Sequence, residues 1–369
     1  MPPTAARVPG SVPPRKYLVT GGAGYVGSVV TAHLLEAGHA VTVLDDLSTG
    51  FREAVPEGAE FAEGRVQDAA RWLKKAGGDG GRGRAAYDGV LHFAAHSQVG
   101  ESVQDPEKYW RNNVGGTIEL LGAMREAGVR RLVFSSTAAT YGEPAVSPIS
   151  EDAAEAPTNP YGASKLAVDR MISSHCRAYG LSAVSLRYFN VAGAYNGHGE
   201  RHDPESHLIP LVLQVAQGRR DAISVFGGDY PTPDGTCVRD YIHVADLAEA
   251  HLLAMDAMTA ADAGQPAPGG ASGGTARRRV DPGEHLICNL GNGNGFSVRE
   301  VVETVRKVTG HDVPEVLAPR RDGDPATLVA SAQRAAEHLG WHPSRTDLAQ
   351  IVQDAWDFAQ QLARRTGTA

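Results

Sequence analysis

The chain has 369 residues, of which 42% are hydrophobic and 21% are charged, and its formal net charge at pH 7 is -8. These values are typical of a soluble globular protein with one large or two moderate domains. They argue against a nucleic-acid surface, and no apolar run approaches the roughly 18 residues of a membrane span. The three cysteines are widely spaced, and the N-terminus lacks the apolar core of a signal peptide. We therefore expect a cytoplasmic protein without a metal site that binds a small soluble partner.

The first half of the chain alternates short apolar strands with helical patterns. Residues 1–14 contain five prolines and are predicted to form a disordered lead-in. After them, the strand YLVT precedes an amphipathic helix that Gly38 ends, and further strand candidates are AVTVLDD, GVLHFAA, RRLVFSS and SAVSLRYFN. Continuous β-branched runs between helices indicate a parallel sheet that is buried on both faces. The predicted fold class is α/β, with a Rossmann-type doubly wound parallel sheet over residues 15–191.

The second half contains more proline and glycine, which indicates a smaller α/β domain over residues 192–365. Within it, residues 237–258 predict a strand and a helix that return to the first sheet. The helical pattern SVREVVETVRKVTG begins with Ser297 and Glu300 in the spacing of a capping box. Two glycine-rich stretches are predicted to be flexible surface insertions, residues 76–86 and 259–284.

The stretch TGGAGYVGS places Gly21, Gly24 and Gly27 in the spacing GxxGxxG between a strand and a helix. Glycines in this setting permit a tight turn, let backbone N–H groups approach a pyrophosphate, and let the helix pack closely on the sheet. The next strand ends at Asp45 and Asp46, where a carboxylate binds the adenosine ribose and repels the extra phosphate of NADP. The pattern therefore predicts NAD as the cofactor.

Tyr161 and Lys165, in NPYGASKLAVDRM, lie four residues apart on a predicted helix and so share one face. A lysine ammonium near a phenol stabilises the phenolate, which would let Tyr161 act as a base nearer neutral pH. Upstream, VFSSTAATYG ends a strand with hydroxyl side chains that include Ser135 and Thr137, at the edge of the sheet where open α/β folds bind ligands. The Thr137 hydroxyl there either bonds a substrate oxygen or caps the next turn.

With these motifs in order, the chain resembles the extended short-chain dehydrogenase/reductase family and, within it, the UDP-glucose 4-epimerases. The resemblance is also carried by LHFAAHSQVGESVQDPEKYWRNNVGGT, SLRYFNVAGA, VFGGDYPTPDGTCVRDYIHVADLA and APRRDGDPATLVAS. It implies an NAD-dependent enzyme that interconverts UDP-glucose and UDP-galactose through a 4-keto sugar, with the UDP-sugar held by the second domain. Family members are often homodimers through a helical face of the NAD domain, so the resemblance also implies a homodimer.

The resemblance further implies roles for individual residues. Tyr161 would take the proton of the sugar 4-hydroxyl, Lys165 would lower the pKa of that tyrosine, and Thr137 would bond the sugar oxygen. The residues predicted to bind NAD are Gly21, Gly24, Tyr25, Val26, Gly27, Asp45, Asp46, Val66, Phe93, Ala94, Ala95, Asn113, Ser135, Tyr161, Lys165 and Tyr188. The residues implied to bind the UDP-sugar are Thr137, Tyr161, Asn190, His207, Leu208, Arg239, Arg321, Asp324 and Leu328.

Three positions depart from the family pattern. Arg65 stands where an aspartate usually reads the adenine, so we expect weaker retention of the nucleotide. Ser97 replaces a lysine that often contacts the cofactor. Leu328 is intermediate between the bulky and the small residues that exclude or admit N-acetylated sugars.

Several alternatives stay open at this point. The first is a 4-epimerase of UDP-GlcNAc and UDP-GalNAc or of UDP-pentoses. A nucleotide-sugar 4,6-dehydratase would need an acid after Thr137, where the chain has Ala138 and Ala139. A non-enzymatic NAD-binding sensor would be expected to lack Tyr161 or Lys165, and both are present.

Overall fold

The computed structural model describes most of the chain. The described residues are 13–75, 85–259, 278–321 and 324–367. Most of the predicted lead-in, 1–14, and of the predicted insertions, 76–86 and 259–284, lies outside them. The described end of the second insertion belongs to the core, because Val280 is only 1% exposed and its N–H donates to the Ala257 carbonyl.

The strands include the five that the sequence predicts, which become β1, β2, β4, β5 and β6. In chain order the strands are β1 (Lys16–Thr20), β2 (Ala40–Asp45), β3 (Glu60–Glu63), β4 (Gly89–His92), β5 (Arg131–Thr137), β6 (Ser182–Tyr188), β7 (Asn190–Ala192), β8 (Ala194–Tyr195), β9 (His198–Gly199), β10 (Ile223–Phe226), β11 (Val238–His243), β12 (His285–Leu290), β13 (Gly295–Ser297), β14 (Glu315–Ala318) and β15 (Thr327–Leu328).

The helices begin and end at recognisable sequence signals. The first ends just before Gly38, whose φ of 84° suits glycine. The predicted capping box is confirmed, because the Glu300 N–H donates to Ser297 Oγ at 3.0 Å and the Ser297 N–H donates to Glu300 Oε2 at 2.6 Å. The helices are α1 (Tyr25–Glu36), α2 (Ala69–Lys75), α3 (Val99–Gln104), α4 (Pro106–Tyr109), α5 (Gly116–Ala127), α6 (Pro160–Tyr179), α7 (Leu208–Ala216), α8 (Val244–Thr259), α9 (Val298–Thr309), α10 (Gln333–Leu339) and α11 (Leu348–Thr366).

Seven strands form one parallel sheet in the order β12-β6-β5-β4-β1-β2-β3. Apolar side chains from its two faces, such as Val19 and Leu18, are fully buried in two separate core clusters. This arrangement confirms the predicted α/β, Rossmann-type fold. The chain reverses its direction of travel across the sheet between β4 and β1, which is where such sheets open a ligand crevice at their carboxyl edge.

The second half of the chain builds smaller sheets around β11. This strand pairs with β7 and β15 in parallel and with β13 in antiparallel orientation, while β10 pairs with β14. A third apolar cluster lies among α7, α9 and α11. The extent of a separate substrate domain, residues 192–365, stays a proposal.

The segment 237–258 does not rejoin the large sheet as a strand. Its strand β11 lies in the smaller sheet, while its helix α8 packs on the large-sheet core through Leu247 and Met255. The strand that rejoins the large sheet is β12, which pairs with β6. Sequence reasoning missed β12 because the pattern HLICNL follows a long glycine-rich insertion.

Candidate active site

The glycine loop connects β1 to α1 at the reversal point of the sheet. Gly21 has a φ of 74°, and a Cβ on it would lie 2.5 Å from the Ala94 backbone nitrogen. A Cβ on Gly27 would lie 2.2 Å from the Gly21 carbonyl oxygen. Both positions therefore require glycine, and Gly24 begins the helix as its N-cap. The first N–H groups of a helix have no acceptor within it, so this loop presents donors suited to a phosphate.

Asp45 fastens this loop. Its Oδ2 accepts a hydrogen bond from the Ala23 N–H at 3.0 Å, and its Oδ1 accepts from the Leu47 N–H at 2.9 Å. Burial raises the pKa of the Asp45 carboxyl, and these two backbone donors oppose that rise. The exposed neighbour, Asp46, accepts from Ser48. Both residues line a cleft at this edge of the sheet.

A single cleft of about 320 Å³ collects most of the predicted cofactor residues. Its volume lies in the range of small-molecule sites. Ser97, one of the three departures from the family pattern, also lines it. The predicted residues that line the cleft are Gly21, Gly24, Tyr25, Val26, Gly27, Asp45, Asp46, Val66, Phe93, Ala94, Ala95, Ser135, Thr137, Tyr161, Lys165, Tyr188, Asn190 and His207.

Tyr161 enters this cleft from the first turn of α6. Asn159 caps that helix by accepting from the Gly162 N–H at 2.9 Å, and Pro160 occupies its first position. Burial raises the pKa of Tyr161, whereas a hydrogen bond with Thr137 lowers it. Thr137 Oγ1 also accepts from the Ala139 N–H at 3.2 Å. The hydroxyl of Thr137 therefore caps the turn that follows β5 and contacts the tyrosine as well.

Gly162 is a functional position that sequence reasoning missed. A Cβ at this residue would lie 2.4 Å from the Ala139 carbonyl oxygen. The missing side chain lets the start of α6 approach the turn after β5, which brings Tyr161 to Thr137. The signal in the sequence was the glycine directly after the tyrosine in YGASK.

Lys165 lies one turn further along α6 and is 3% exposed. Its Nζ donates to the Ser135 carbonyl at 2.7 Å and lies 4.8 Å from the centre of the Phe134 ring. Desolvation lowers its pKa from 10.5 to about 7, while the Asp169 charge opposes the shift. Burial is the main cause of the raised Tyr161 pKa, and its lowering by Lys165 stays a prediction.

A buried ion pair between Arg187 and Asp169 lies behind strand β5. The Arg187 side chain is 1% exposed, and its Nε and Nη2 donate to Asp169 Oδ2 at 3.0 and 2.9 Å. The Ser136 hydroxyl donates to the same oxygen at 3.0 Å. Because Ser136 lies between Ser135 and Thr137 on β5, the pair holds the strand that presents both.

Other predicted residues lie outside the lining of the cleft. Asn113 is buried, and its Nδ2 donates to the His96 carbonyl and to Ser164 Oγ. Leu208 begins α7 directly after His207. The remaining residues form a separate cluster on and near β11 and β15, namely Arg239, Arg321, Asp324 and Leu328.

In that cluster, Asp324 holds both guanidinium groups. Arg239 Nη2 donates to Asp324 Oδ1 at 2.8 Å, and Arg321 Nε donates to Asp324 Oδ2 at 2.9 Å. The Arg321 guanidinium also lies 4.9 Å from the ring centre of Phe226, which is 38% exposed. β11 connects this cluster to the cleft, because its Tyr241 pairs with Asn190. Phe226 is an exposed aromatic that sequence reasoning missed.

The segment between β9 and α7 supplies further lining that was not predicted. Glu200 and His202 join His207 on the wall of the cleft. Arg65 is exposed and does not itself line the cleft, although its neighbours Gly64 and Val66 do, and Asp68 does not line it either. No helix among residues 13–75, 85–259, 278–321 and 324–367 is long and apolar enough to span a membrane.

The residues present fit a bound NAD. The glycine cradle leaves no room for side chains at Gly21 and Gly27, and the N-terminal N–H groups of α1 open into the cleft. Carboxylates at the end of β2 suit ribose hydroxyls, and Tyr161, Lys165 and Tyr188 line the same cleft.

The family model for the NAD dependent epimerase/dehydratase family matches residues 17–266. The chain belongs to this family. It is 68% identical over 343 residues to a UDP-glucose 4-epimerase of Streptomyces lividans, a match that covers 93% of this chain and 95% of the relative.

Solved structures of family members share the whole fold. The UDP-glucose 4-epimerase of Brucella ovis in complex with NAD superposes with a TM-score of 0.82 at 44% identity, over 93% of this chain and 98% of that one. A UDP-glucose 4-epimerase of Stenotrophomonas maltophila with bound NAD and formylated UDP-arabinopyranose gives 0.84 at 36% identity, over 95% and 99%. The family uses NAD, as the sequence predicts.

Proposed function

We propose that the chain is an NAD-dependent 4-epimerase that interconverts UDP-glucose and UDP-galactose through a 4-keto sugar. The observation that carries this proposal is a single cleft that combines the glycine loop with Thr137, Tyr161 and Lys165. The similarity to UDP-glucose 4-epimerases over nearly the whole chain supports the same activity.

The glycine loop and Asp45 would hold the pyrophosphate and the adenosine ribose of NAD, and Lys165 would bind the nicotinamide ribose. When bound, NAD accepts a hydride from C4 of the sugar and returns it to the opposite face. The side chains of this protein would move the proton: Tyr161 takes it from the 4-hydroxyl and later gives it back. Thr137 bonds the same sugar oxygen and steadies the phenol.

The UDP part of the substrate would lie toward β11. Arg239 and Arg321 carry guanidinium forks that match phosphate oxygens, and Asp324 fixes both at the edge of the small sheet. The exposed ring of Phe226 offers a surface on which a base stacks. Residues 192–365 would then act as the substrate domain, with Asn190 and His207 at its border with the NAD site.

The test is to incubate the purified chain with UDP-galactose deuterated at C4, with and without added NAD. The proposal predicts UDP-glucose that keeps deuterium at C4, as measured by NMR, because the same hydride returns to the sugar. No turnover with NAD in excess, or loss of the deuterium to water, would contradict it. Turnover without added NAD measures how well the chain retains the nucleotide despite Arg65.

The same assay compares sugar substrates. Leu328 pairs with Arg239 on the small sheet and does not line the cleft in this structure. Parallel runs with UDP-N-acetylglucosamine and with a UDP-pentose give the ratio of kcat/KM values that defines specificity. A dehydratase product is not expected, because Ala138 and Ala139 supply no acid beside Thr137.

We also propose that two copies of the chain associate through an exposed apolar face. Val99, Val103, Trp110 and Ile118 are 42–63% exposed and lie on α3, on α5 and on the π-helical turn between α4 and α5. Exposed apolar side chains gathered on neighbouring helices are typical of an interface between subunits.

The three cysteines are unpaired and buried, which supports the expected cytoplasmic location.

A further inference from the structure

The segment between β9 and α7 repeats one short pattern, Glu-x-His, at residues 200–202 and 205–207. In each copy the glutamate Oε1 accepts from the backbone N–H of the two residues that follow. The same oxygen lies beside the histidine ring, at 2.6 Å from Nδ1 of His202 and at 2.8 Å from Nδ1 of His207. Two carboxylates are thus fixed by the backbone, and each holds an imidazole.

The two copies face each other. Glu200 Oε2 lies 3.8 Å from His207 Nδ1, and the centres of the two imidazole rings are 5.2 Å apart. One ligand atom from each of Glu200, His202 and His207 lies within 4.8 Å of the other two. Ligand atoms at about 2.0–2.2 Å from one ion lie at most about 4.4 Å apart, so the three side chains have to move closer together to enclose a cation.

The surroundings of the cluster favour a cation. The side chains of Glu200 and Glu205 are only 13% and 6% exposed, so water screens their charges weakly. The nearest guanidinium, that of Arg201, pairs instead with Glu53 at 2.6 Å and lies over the Phe51 ring. The two carboxylates therefore face the histidines without a competing contact from Arg201.

The donor set selects the class of ion. Two imidazole nitrogens and a carboxylate suit zinc, cobalt and nickel, whereas magnesium and calcium prefer oxygen ligands alone. We propose that Glu200, His202 and His207 form a site for one first-row divalent transition metal on the wall of the cleft. Binding would release the protons that the imidazoles share with the two glutamates.

This site is separate from the predicted catalytic pair and does not depend on the proposed epimerase activity. The spacing of the cysteines in the sequence predicted no metal site, and no cysteine takes part in this one. The signal was instead the repeated Glu-x-His pattern. Because all three ligands line the same cleft as Tyr161, an ion held there lies within the space that small molecules enter.

The test uses cobalt as the probe on the full chain, with any purification tag removed and metals first stripped by a chelator. Titration with Co²⁺ is expected to give visible absorption bands that saturate at one ion per chain. His202→Gln and His207→Gln are each expected to weaken binding at least about tenfold, since loss of even supporting contacts costs that much. His311→Gln, at an exposed histidine elsewhere, is the matched control and should bind like the unmodified chain.

X-ray absorption of the cobalt-loaded unmodified chain gives a second readout that needs no variant. Scattering from two imidazole rings supports the site. A shell of water oxygens only, a thiolate-to-cobalt absorption band, or equal binding by His202→Gln and the unmodified chain would overturn it. Failure to reach saturation at millimolar Co²⁺ would overturn it as well.

Discussion

At the residue scale, burial lowers the pKa of the Lys165 ammonium. Its folded pKa is about 7, while the unfolded chain keeps the ordinary value of 10.5. Between these values the unfolded state binds more protons, so the free energy of unfolding rises with pH across this window. The charged form is the costly one in the folded chain. It is also the form that would stabilise a Tyr161 phenolate.

We therefore predict that Lys165→Met removes this pH dependence. The free energy of unfolding of the original chain, relative to that of the variant, should increase from about pH 7 to about pH 10. Urea unfolding without added cofactor measures the difference at both values. Lys108→Met, at a partly exposed lysine that pairs with Glu101, is the control for the loss of a lysine outside the core. A flat difference for Lys165 would contradict the lowered pKa.

The buried pair of Asp169 and Arg187 leads to a second prediction. Asp169→Asn removes the fully buried counter-charge of Arg187 and leaves its partly exposed second partner, Glu155, so we expect a loss of about 1.5–3 kcal/mol in the free energy of unfolding. Glu107→Gln, which breaks a surface pair with Arg111, should change it little. Chemical denaturation of both variants tests this. If Asp169→Asn and Glu107→Gln both changed the free energy of unfolding only slightly, the buried ion pair of Asp169 would not stabilise the fold.

At the scale of elements, glycine has two opposite roles in helices of this chain. Gly27, in α1, has the Gly21 carbonyl 2.2 Å from where its Cβ would stand, whereas Gly122, in α5, has nothing within 4 Å. Gly27→Ala should therefore lower the free energy of unfolding by about 1–3 kcal/mol and weaken NAD binding. Gly122→Ala should raise it by about 0.5–1 kcal/mol. Thermal unfolding and NAD titration check both, and equal effects would contradict the close approach.

The elements also show how far the sequence predicts the structure. Strong local signals, such as the capping box at Ser297 or the strand that ends at Thr137, are confirmed by the structure. β3 was missed because EFAE is short and has a charge at each end, and β12 because HLICNL follows the long glycine-rich insertion. In residues 237–258 the strand belongs to the smaller sheet and the helix packs on the large sheet. Tertiary packing decides this division, and the local sequence pattern does not predict it.

At the scale of the molecule, contacts between distant segments lie beyond what one sequence predicts. Arg239 and Asp324 are 85 residues apart, and although the resemblance placed both near the substrate, their ion pair was not predicted. The cleft residues predicted from the glycine loop and from YxxxK do lie together, because each motif has a fixed place on this fold. Glu200 and His202 belong to no such motif and were missed.

The proposed dimer belongs to the same scale. Val103→Asp and Ile118→Asp each place a charge in the apolar face on α3 and α5, and they should convert a dimer into monomers. Val146→Asp, at a valine that is 73% exposed in a loop, is the control and should leave the mass unchanged. Analytical ultracentrifugation measures this. A dimer that survives both substitutions would place the interface elsewhere.

The most direct measurement compares the epimerisation rate of Tyr161→Phe with that of Tyr109→Phe, with UDP-galactose and added NAD. Tyr109 is also buried, and its ring centre lies 6.3 Å from that of Tyr161, but its hydroxyl lies within hydrogen-bond distance of the Gln98 carbonyl and of Glu101 Oε2. If Tyr161 moves the proton, its substitution should slow turnover about 10²–10⁴-fold, and that of Tyr109 far less. Equal rates for Tyr161→Phe and the unmodified chain would contradict the central role of this tyrosine.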